Sequence, residues 1–255
     1  MNRTVIDMGE KVLRWEHPNA SLPESVLIVG LGPTKADLLN STTLHVPDDA
    51  LMGVDEVWGV NAAINHFAGR IRYDMIWMMD HLDGEVRKYP KYIQQMERYL
   101  KRHQVPLITS DAGEYAEMDH VYEYPLHWIY LLLGDDAMYM HNSIPYMLAY
   151  ALAIGVKEIH IWGCDYSYEK EKTREDDRAN AEYWIGFARA RGVKVLIPAS
   201  SSLTSADKGL WFYGYRDQPM GKVLKQLNKS GMHAAPVTTK TDRGNEHEQR
   251  QYVRK

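Results

Sequence analysis

The chain has 255 residues, of which 45% are hydrophobic and 25% charged, and its formal net charge is -4. This mixture is typical of a globular protein with a sizeable core, and the charge argues against a globally basic nucleic-acid binder. The single cysteine excludes an internal disulfide and a cysteine-based metal cluster. The sequence contains neither an apolar leader nor a stretch long enough to span a membrane, which predicts a cytoplasmic protein.

Residues 1–24 are predicted to form an N-terminal arm with at most one short helix, because two prolines interrupt the segment. The first clear strand is predicted at residues 26–29, and it runs into the turn Gly30-Leu31-Gly32-Pro33-Thr34. A short apolar run followed by glycines is typical of a buried parallel strand and its tight turn. A helix is expected to begin within residues 34–39.

The middle of the chain predicts three more strands, at residues 55–61, 73–80 and 105–109. An amphipathic helix at residues 90–103 precedes the last of them. The chain after residue 109 is rich in Asp, Glu and Tyr, which predicts a loop.

The clearest pattern of a helix followed by a strand comes next. An apolar helix at residues 143–153 is ended by Gly155 and followed by a strand at 158–163. The same pattern recurs with a helix at 179–191 and a strand at 193–197. The charged run 169–178 predicts a mobile loop or lid, with a solvated helix face as the alternative, and residues 230–255 predict a flexible polar tail.

Alternating strands and helices predict an α/β fold with a doubly wound, mostly parallel, Rossmann-like sheet and helices on both faces. Residues 25–229 are predicted to form this nucleotide-binding catalytic domain. Ligands of such sheets bind beyond the carboxyl ends of the strands, near the point where the strand order reverses.

The candidate ligand contacts therefore follow predicted strands or begin predicted helices. They are Gly30, Gly32, Pro33, Thr34, Asn61, Asp80, Asn142, Ser143 and Ser200. Glycines let a backbone approach a phosphate, and a helix N-terminus offers N–H donors, although a tight structural turn explains the same glycines. Lys35 replaces the third glycine of a dinucleotide fingerprint, and no P-loop lysine motif follows, so a dehydrogenase and a P-loop NTPase are disfavoured.

Acidic residues follow two of the predicted strands. Asp80-His81-Leu82-Asp83 could hold a divalent cation, but its D-x-x-D spacing favours contact with a ribose or an acceptor. The run Gly163-Cys164-Asp165-Tyr166-Ser167-Tyr168 ends a strand with an acid and two tyrosines, which could reach a substrate. Cys164 is expected to fill the core rather than act as a nucleophile.

In combination these motifs resemble the bacterial sialyltransferases that build lipooligosaccharide. They also resemble the phage and prokaryotic proteins related to the archaeal hydroxymethylpterin diphosphokinase. The resemblance covers residues 26–203 and rests on the Gly30–Thr34 turn, on Asn61, and on Asn142-Ser143. It rests further on the run ALAIGVKEIHIWGCDYSY and on the closing Pro198-Ala199-Ser200.

The resemblance implies a Rossmann-like nucleotide-binding domain that transfers a nucleotide-activated sugar. It implies that a tyrosine beyond Asp165 holds the donor phosphate without metal, which corresponds to Tyr168 and less directly to Tyr166. The family's general base is a histidine in the following lid, and residues 169–178 contain none. The base would then be one of four carboxylates or a histidine from another loop, namely Glu175, Asp176, Asp177, Glu182 or His81.

The leading hypothesis is a transferase, most simply a glycosyltransferase, with Asp165, Tyr168, Glu182 and His81 as catalytic candidates. It requires a nucleotide-sugar donor and no metal cofactor, with Mg²⁺ left open. The acceptor is a glycan or, for a phage-encoded enzyme in the host cytoplasm, a modified DNA base read by the basic and aromatic residues between 208 and 243. The alternatives are a Mg²⁺-dependent diphosphotransferase that uses Asp80, Asp83 and Asp165, and a non-catalytic nucleotide-binding protein. Oligomerisation is left open.

Overall fold

The secondary structure comes from a computed structural model. It describes residues 3–7, 12–40, 53–61, 63–67, 71–82, 89–115, 118–135, 139–166, 175–198, 200–205, 229, 234–240 and 246–252. The strands are β1 (Arg3–Asp7), β2 (Val12–Glu16), β3 (Ser25–Val29), β4 (Glu56–Val60), β5 (Met75–Met78), β6 (Leu107–Thr109), β7 (Val121–Glu123), β8 (Glu158–Trp162), β9 (Lys194–Leu196), β10 (Ala234–Lys240) and β11 (Glu246–Tyr252). The α-helices are α1 (Lys35–Asn40), α2 (Ala63–Phe67), α3 (Pro90–His103), α4 (Leu126–Leu133), α5 (Ser143–Ala153) and α6 (Glu175–Ala190).

Seven strands form one parallel sheet in the order β7-β6-β5-β4-β3-β8-β9. The chain moves outward from β3 through β4, β5 and β6 to β7, and then returns to the other side of β3 with β8. The strand order therefore reverses between β3 and β8. In a sheet of this kind, the carboxyl ends of those two strands border the usual ligand site.

Alternate residues of β3 face opposite sides of the sheet. Val26 and Ile28 belong to a buried cluster that includes residues of α4, α5 and α6, among them Trp184. Leu27 and Val29 belong to a second cluster with residues of α1, α2 and α3. Because side chains of a strand alternate between its faces, helices cover both sides, and the predicted doubly wound α/β fold is confirmed.

Helices α3 and α5 have the bounds that the sequence predicts. Pro90 stands in the first turn of α3, where its missing N–H costs nothing. The side chain of Asn142 accepts from the amide of Ile144 and caps α5. Local signals of this kind fix helix ends well.

The region after residue 109 differs from its prediction as a loop, because it contains β7 and α4. β7 is a three-residue edge strand that is only partly buried, so it carries no apolar pattern. α4 is apolar over most of its surface, and it lacks the polar face that marks an amphipathic helix. Residues 175–178 of the predicted lid form the start of α6, and residues 169–174 lie outside the described residues.

Two antiparallel pairs stand where the sequence predicted little regular structure. β1 pairs with β2 in place of a short helix, and β10 pairs with β11 in place of an unstructured polar tail. Both segments contain β-branched residues, such as Val5-Ile6 and Val237-Thr238, which favour strands once a partner is near. The prediction was based on composition, which does not show which segments pair as strands.

The segment before β3 is tied to the sheet by Glu56, at the start of β4 and 6% exposed. Its carboxylate accepts from the Asn19 amide at 2.7 Å and from the Trp58 indole at 2.6 Å, and it lies 2.8 Å from the His17 ring. The other ring nitrogen of His17 lies 2.7 Å from the Tyr150 hydroxyl of α5. A buried carboxylate is stable only with such partners, so residues 17–19 belong to the packed fold.

No helix in the described ranges is long and apolar enough to cross a membrane.

Candidate functional site

A cleft of about 220 Å³ opens where the strand order reverses. Its walls come from the turns after β3, β4, β5 and β8, from the start of α5 and from the first turn of α6. The residues predicted from sequence that line it are Gly30, Asn61, Asp80, Asn142, Ser143, Asp165, Tyr166 and Asp177. The structure thus brings together residues that are far apart in the sequence, for example Gly30 and Asp177.

The turn after β3 packs directly against the turn after β8. The Gly30 amide donates to the carbonyl of Trp162 at 2.8 Å, and the Gly32 amide donates to that of Gly163 at 2.5 Å. A Cβ atom at Gly32 would lie 2.9 Å from the Gly163 carbonyl oxygen, and one at Gly30 would collide with the same atom. The glycines are needed because the two turns touch, and amides that are already paired are poor phosphate donors.

Thr34 and Asp165 join the same two turns through their side chains. The Thr34 amide donates to the Asp165 carboxylate at 2.8 Å, and the Thr34 hydroxyl lies 2.8 and 2.9 Å from its two oxygens. The Gly163 amide donates to the Thr34 hydroxyl at 2.8 Å. Thr34 and Asp165 are 4% and 2% exposed. The Asp165 carboxylate, predicted as catalytic, is therefore bound to the start of α1.

The opposite wall holds an unpaired acceptor. Asn61 has a positive φ of 46°, which asparagine tolerates better than most residues. Its Nδ2 donates to Asp80 at 2.8 Å, and its buried Oδ1 has no hydrogen-bond partner among the residues that the structure describes. Because a carboxylate only accepts, the amide orientation is fixed and Oδ1 must face another donor. A buried acceptor beside a cleft is a natural contact for a ligand N–H or O–H.

The start of α5 forms the adjoining part of this wall. The Asn142 Oδ1 accepts from the Tyr166 hydroxyl at 2.6 Å, and its Nδ2 donates to the Asp177 carbonyl at 3.1 Å. Asn142 therefore links the β8 turn, α5 and α6 around the cleft. Ser143 follows it in the first turn of α5, where N–H groups and the helix dipole favour anions. Tyr168, the preferred phosphate ligand from sequence, lies outside the described residues.

Two of the proposed general bases occupy different places. Asp177 lines the cleft. Glu182, one turn further along α6, is not among the lining residues, and its Oε1 accepts from the Thr204 amide at 2.6 Å. The geometry therefore favours Asp177 over Glu182 as a group that meets a ligand.

His81 also lies apart from the cleft lining. Its Nδ1 is 2.8 Å from Glu114 Oε1, and 77% of its side chain is exposed. The hydrogen bond and the charge of Glu114 raise the pKa of His81 above its ordinary value. A raised pKa means that a smaller fraction of the imidazole is neutral near pH 7 and able to accept a proton.

Four predicted contacts do not line the cleft, namely Gly32, Pro33, Thr34 and Ser200, whereas Cys164 borders it. Pro33 is exposed in the β3 turn, and the exposed Ser200 donates its hydroxyl to Asp37 of α1. The buried Cys164 belongs to the core, as predicted, and burial raises the pKa of its thiol. The apolar residues Leu31, Val60 and Ile144, which the sequence did not single out, complete the walls.

A metal site does not emerge from the described residues, in which no three or more His, Cys, Asp or Glu side chains are grouped to hold an ion. Two acids of the diphosphotransferase alternative already have partners, since Asp80 accepts from Asn61 and Asp165 from Thr34. The third, Asp83, lies outside the described residues.

A larger cleft, of about 380 Å³, lies at the opposite edge of the sheet, at the amino ends of β5 and β6. Arg72, Asp74 and His103 line it. The Asp74 carboxylate accepts from the Val57 amide at 2.8 Å, so it serves the sheet edge. Ligands of parallel sheets bind at the other edge, which singles out the cleft between β3 and β8.

No protein-family model and no curated protein matches the chain. Among solved structures, it is similar to the sialyltransferase CstII from Campylobacter jejuni in complex with the substrate analogue CMP-3FNeuAc. The identity is 16%, the TM-score is 0.46, and the match covers 71% of this chain and 82% of that one. An asparagine-to-alanine variant of the sialyltransferase CST-II in complex with CMP is 15% identical with a TM-score of 0.46, over 80% of this chain and 98% of that one. Similarity at this level does not say which residues act.

Proposed function

We propose that the protein is a glycosyltransferase that binds a nucleotide-activated sugar in the cleft between β3 and β8. The observation that carries this proposal is the buried, unpaired Oδ1 of Asn61 in the same cleft as the start of α5 and the Asp177 carboxylate. A nucleotide sugar has hydrogen-bond donors that Asn61 Oδ1 can accept from and a phosphate that a helix N-terminus can bind. The molecule that receives the sugar has a hydroxyl whose proton a carboxylate can take. The sequence motifs shared with the lipooligosaccharide sialyltransferases support the same class.

The donor is expected to bind along the wall formed by β4 and α5. Asn61 Oδ1 accepts from an amino group of the base or from a ribose hydroxyl, and Leu31 and Val60 provide apolar contact. The phosphate lies toward Ser143 and the first turn of α5, where helix N–H groups and the dipole favour negative charge. Tyr168 remains a predicted phosphate ligand.

The reaction moves the sugar from phosphate to an acceptor hydroxyl. Asp177 takes the hydroxyl proton, the acceptor oxygen forms a bond to the anomeric carbon, and the bond from that carbon to the phosphate oxygen breaks. The leaving nucleotide keeps the bonding electrons, and donors at the start of α5 stabilise its charge. Glu182 and His81 have no part in this step, because neither lines the cleft. Asp165 acts by holding the β8 turn in place.

The test is a thermal-shift screen with CMP-, UDP-, GDP- and ADP-linked sugars and with ATP, each with Mg²⁺ and with EDTA. A ligand that binds only the folded protein raises its melting temperature. One nucleotide class is expected to raise it in both conditions and to be cleaved when an acceptor is present. A shift with ATP and Mg²⁺ alone would support the diphosphotransferase instead, and no shift with any nucleotide sugar would refute the proposal.

A further inference from the structure

An exposed row of aromatic rings runs away from the cleft. His141, which lines the cleft, has its ring centroid 5.3 Å from that of Tyr139, and Tyr139 is 5.1 Å from Tyr183. Tyr183 is 6.1 Å from Phe187 with the two planes only 13° apart, and the guanidinium of Arg191 lies 4.4 Å from the Phe187 ring centre. The four rings are called the aromatic row below.

Two rings of the row, Tyr183 and Phe187, lie on α6. Tyr183, Phe187 and Arg191 are spaced by four residues along α6 and its end, so they lie on one side of the helix. Tyr183 is 37% exposed and Tyr139 is 39% exposed. Large aromatic side chains that remain in contact with water as a group are a common mark of an interaction surface.

Buried side chains of α6 bond to the backbone of the other two row residues, Tyr139 and His141. Asn180 is 0% exposed, its Oδ1 accepts from the His141 amide at 2.9 Å, and its Nδ2 donates to the Tyr139 carbonyl at 2.8 Å. The indole of Trp184 donates to the same carbonyl at 2.6 Å. Because these hydrogen bonds fix the backbone of Tyr139 and His141, little backbone entropy is lost when a ligand binds to their rings.

The chemistry of the row favours a carbohydrate. Tyrosine combines a flat apolar face with a hydroxyl, which matches a sugar ring that has an apolar C–H face and hydroxyls at its edge. Charge argues against a polyanion such as single-stranded DNA. Asp176 and Asp177 stand with Arg178 at the cleft end of α6, Glu182 is next to Tyr183, and Arg191 lies over the Phe187 ring at the far end of the row.

We propose that the aromatic row is the acceptor subsite, which holds a neutral oligosaccharide with its reacting hydroxyl directed toward Asp177. This inference rests on the proposed transferase function and adds the acceptor's class and place. It assigns a binding role to Tyr139 and Tyr183, and it leaves the donor to the opposite wall of the cleft.

The experiment compares the wild type with Tyr183→Ala, Tyr139→Ala and the matched control Tyr130→Ala, whose tyrosine on α4 is also 37% exposed. Each protein is applied to an array of neutral and acidic oligosaccharides, and anisotropy measures binding to a labelled oligothymidylate. The two row variants are expected to lose neutral-glycan binding by about tenfold or more, and the control to retain it. The thermal shift by the nucleotide sugar should be the same in all four proteins.

The outcomes separate the two proposals. If a nucleotide sugar binds and is cleaved but glycan binding is absent or unchanged in the row variants, the acceptor subsite is wrong. Oligothymidylate binding that depends on Tyr183 would also overturn it and would favour nucleic acid. If glycans bind through Tyr183 but no nucleotide sugar binds, the row stands as a carbohydrate surface and the transferase function fails.

Discussion

The two walls of the cleft use their polar groups in opposite ways. The closed wall, made by the turns after β3 and β8, pairs its own groups, with the Gly32 amide on Gly163 and Thr34 on Asp165. The open wall, made by Asn61, Asp80, the start of α5 and Asp177, leaves an acceptor unpaired and brings a carboxylate to the cleft. A glycine-rich turn at a strand end can therefore join two loops, while the unpaired acceptor and the Asp177 carboxylate lie on the facing wall.

The largest effect expected from this comparison is on turnover, through Asp177→Asn in the open wall. Loss of the general base should lower kcat by about 10²–10⁴-fold, while the thermal shift by the nucleotide sugar stays the same. Initial rates of nucleotide release measure it. Asp176→Asn, a change in the exposed neighbour, should leave kcat near that of the wild type. A larger loss from Glu182→Gln than from Asp177→Asn would move the base to Glu182.

The next effect is on folding, through Gly32→Ala in the closed wall. The added Cβ would lie 2.7 Å from Asp165 Oδ2, so the joint must open, and the free energy of unfolding should fall by about 2–3 kcal/mol. Urea denaturation measures it. Gly186→Ala in α6 is the control, because nothing lies within 4 Å of its added Cβ, and it should gain up to about 1 kcal/mol. A Gly32→Ala protein that keeps its stability but loses nucleotide binding would make this turn a ligand site.

A smaller effect is expected on affinity, through removal of the Asn61 carboxamide. Asn61→Gly and Asn61→Ala should each weaken nucleotide-sugar binding by about tenfold, since one hydrogen bond is lost. Asn61→Ala should also be less stable than Asn61→Gly by about 1 kcal/mol, because φ is 46° at this position and glycine adopts that angle freely. Calorimetric titration and urea denaturation separate the two effects. Unchanged affinity in Asn61→Gly would show that the open wall does not contact the donor.

The smallest effect concerns His81, outside both walls. Its pKa should lie above the ordinary value of about 6.5, and Glu114→Gln should bring it back toward that value. A raised pKa in the folded state means that this pair stabilises the protein at low pH and that its contribution is lost as pH rises through the folded pKa. The contribution is slight because the pair is exposed. Proton NMR titration measures both values, and a pKa at or below the ordinary value in the wild type would contradict the pairing of His81 with Glu114.

Sequence reasoning predicted which residues line the cleft better than it predicted what each of them contacts. Asn61 and Asp80 were predicted as contacts because they follow strands, and strand ends of a parallel sheet meet at one edge. Asn142 was predicted from its position as a helix cap. These rules are local or topological, so they hold without knowledge of distant contacts.

What the sequence could not supply were partners far along the chain. Nothing near Thr34 in the sequence indicates that its amide and hydroxyl will bond to the Asp165 carboxylate and join the two turns. The aromatic row was missed for the same reason, since Tyr139 meets α6 only through Asn180 and Trp184. The four-residue spacing of Tyr183, Phe187 and Arg191 is visible in the sequence. It does not show that Tyr139 packs beside them.

The contacts of Glu56 set a practical boundary for protein engineering. A shortened chain that starts after residue 19 would keep the Trp58 indole as the donor to this buried carboxylate and lose those from His17 and Asn19. It would also remove His17 from beside the Tyr150 hydroxyl. Tyr150 lies on α5, whose first turn borders the cleft. A trimmed version made for crystallisation or screening should therefore retain residues 17–19, since the buried Glu56 carboxylate would otherwise lose two of its three partners.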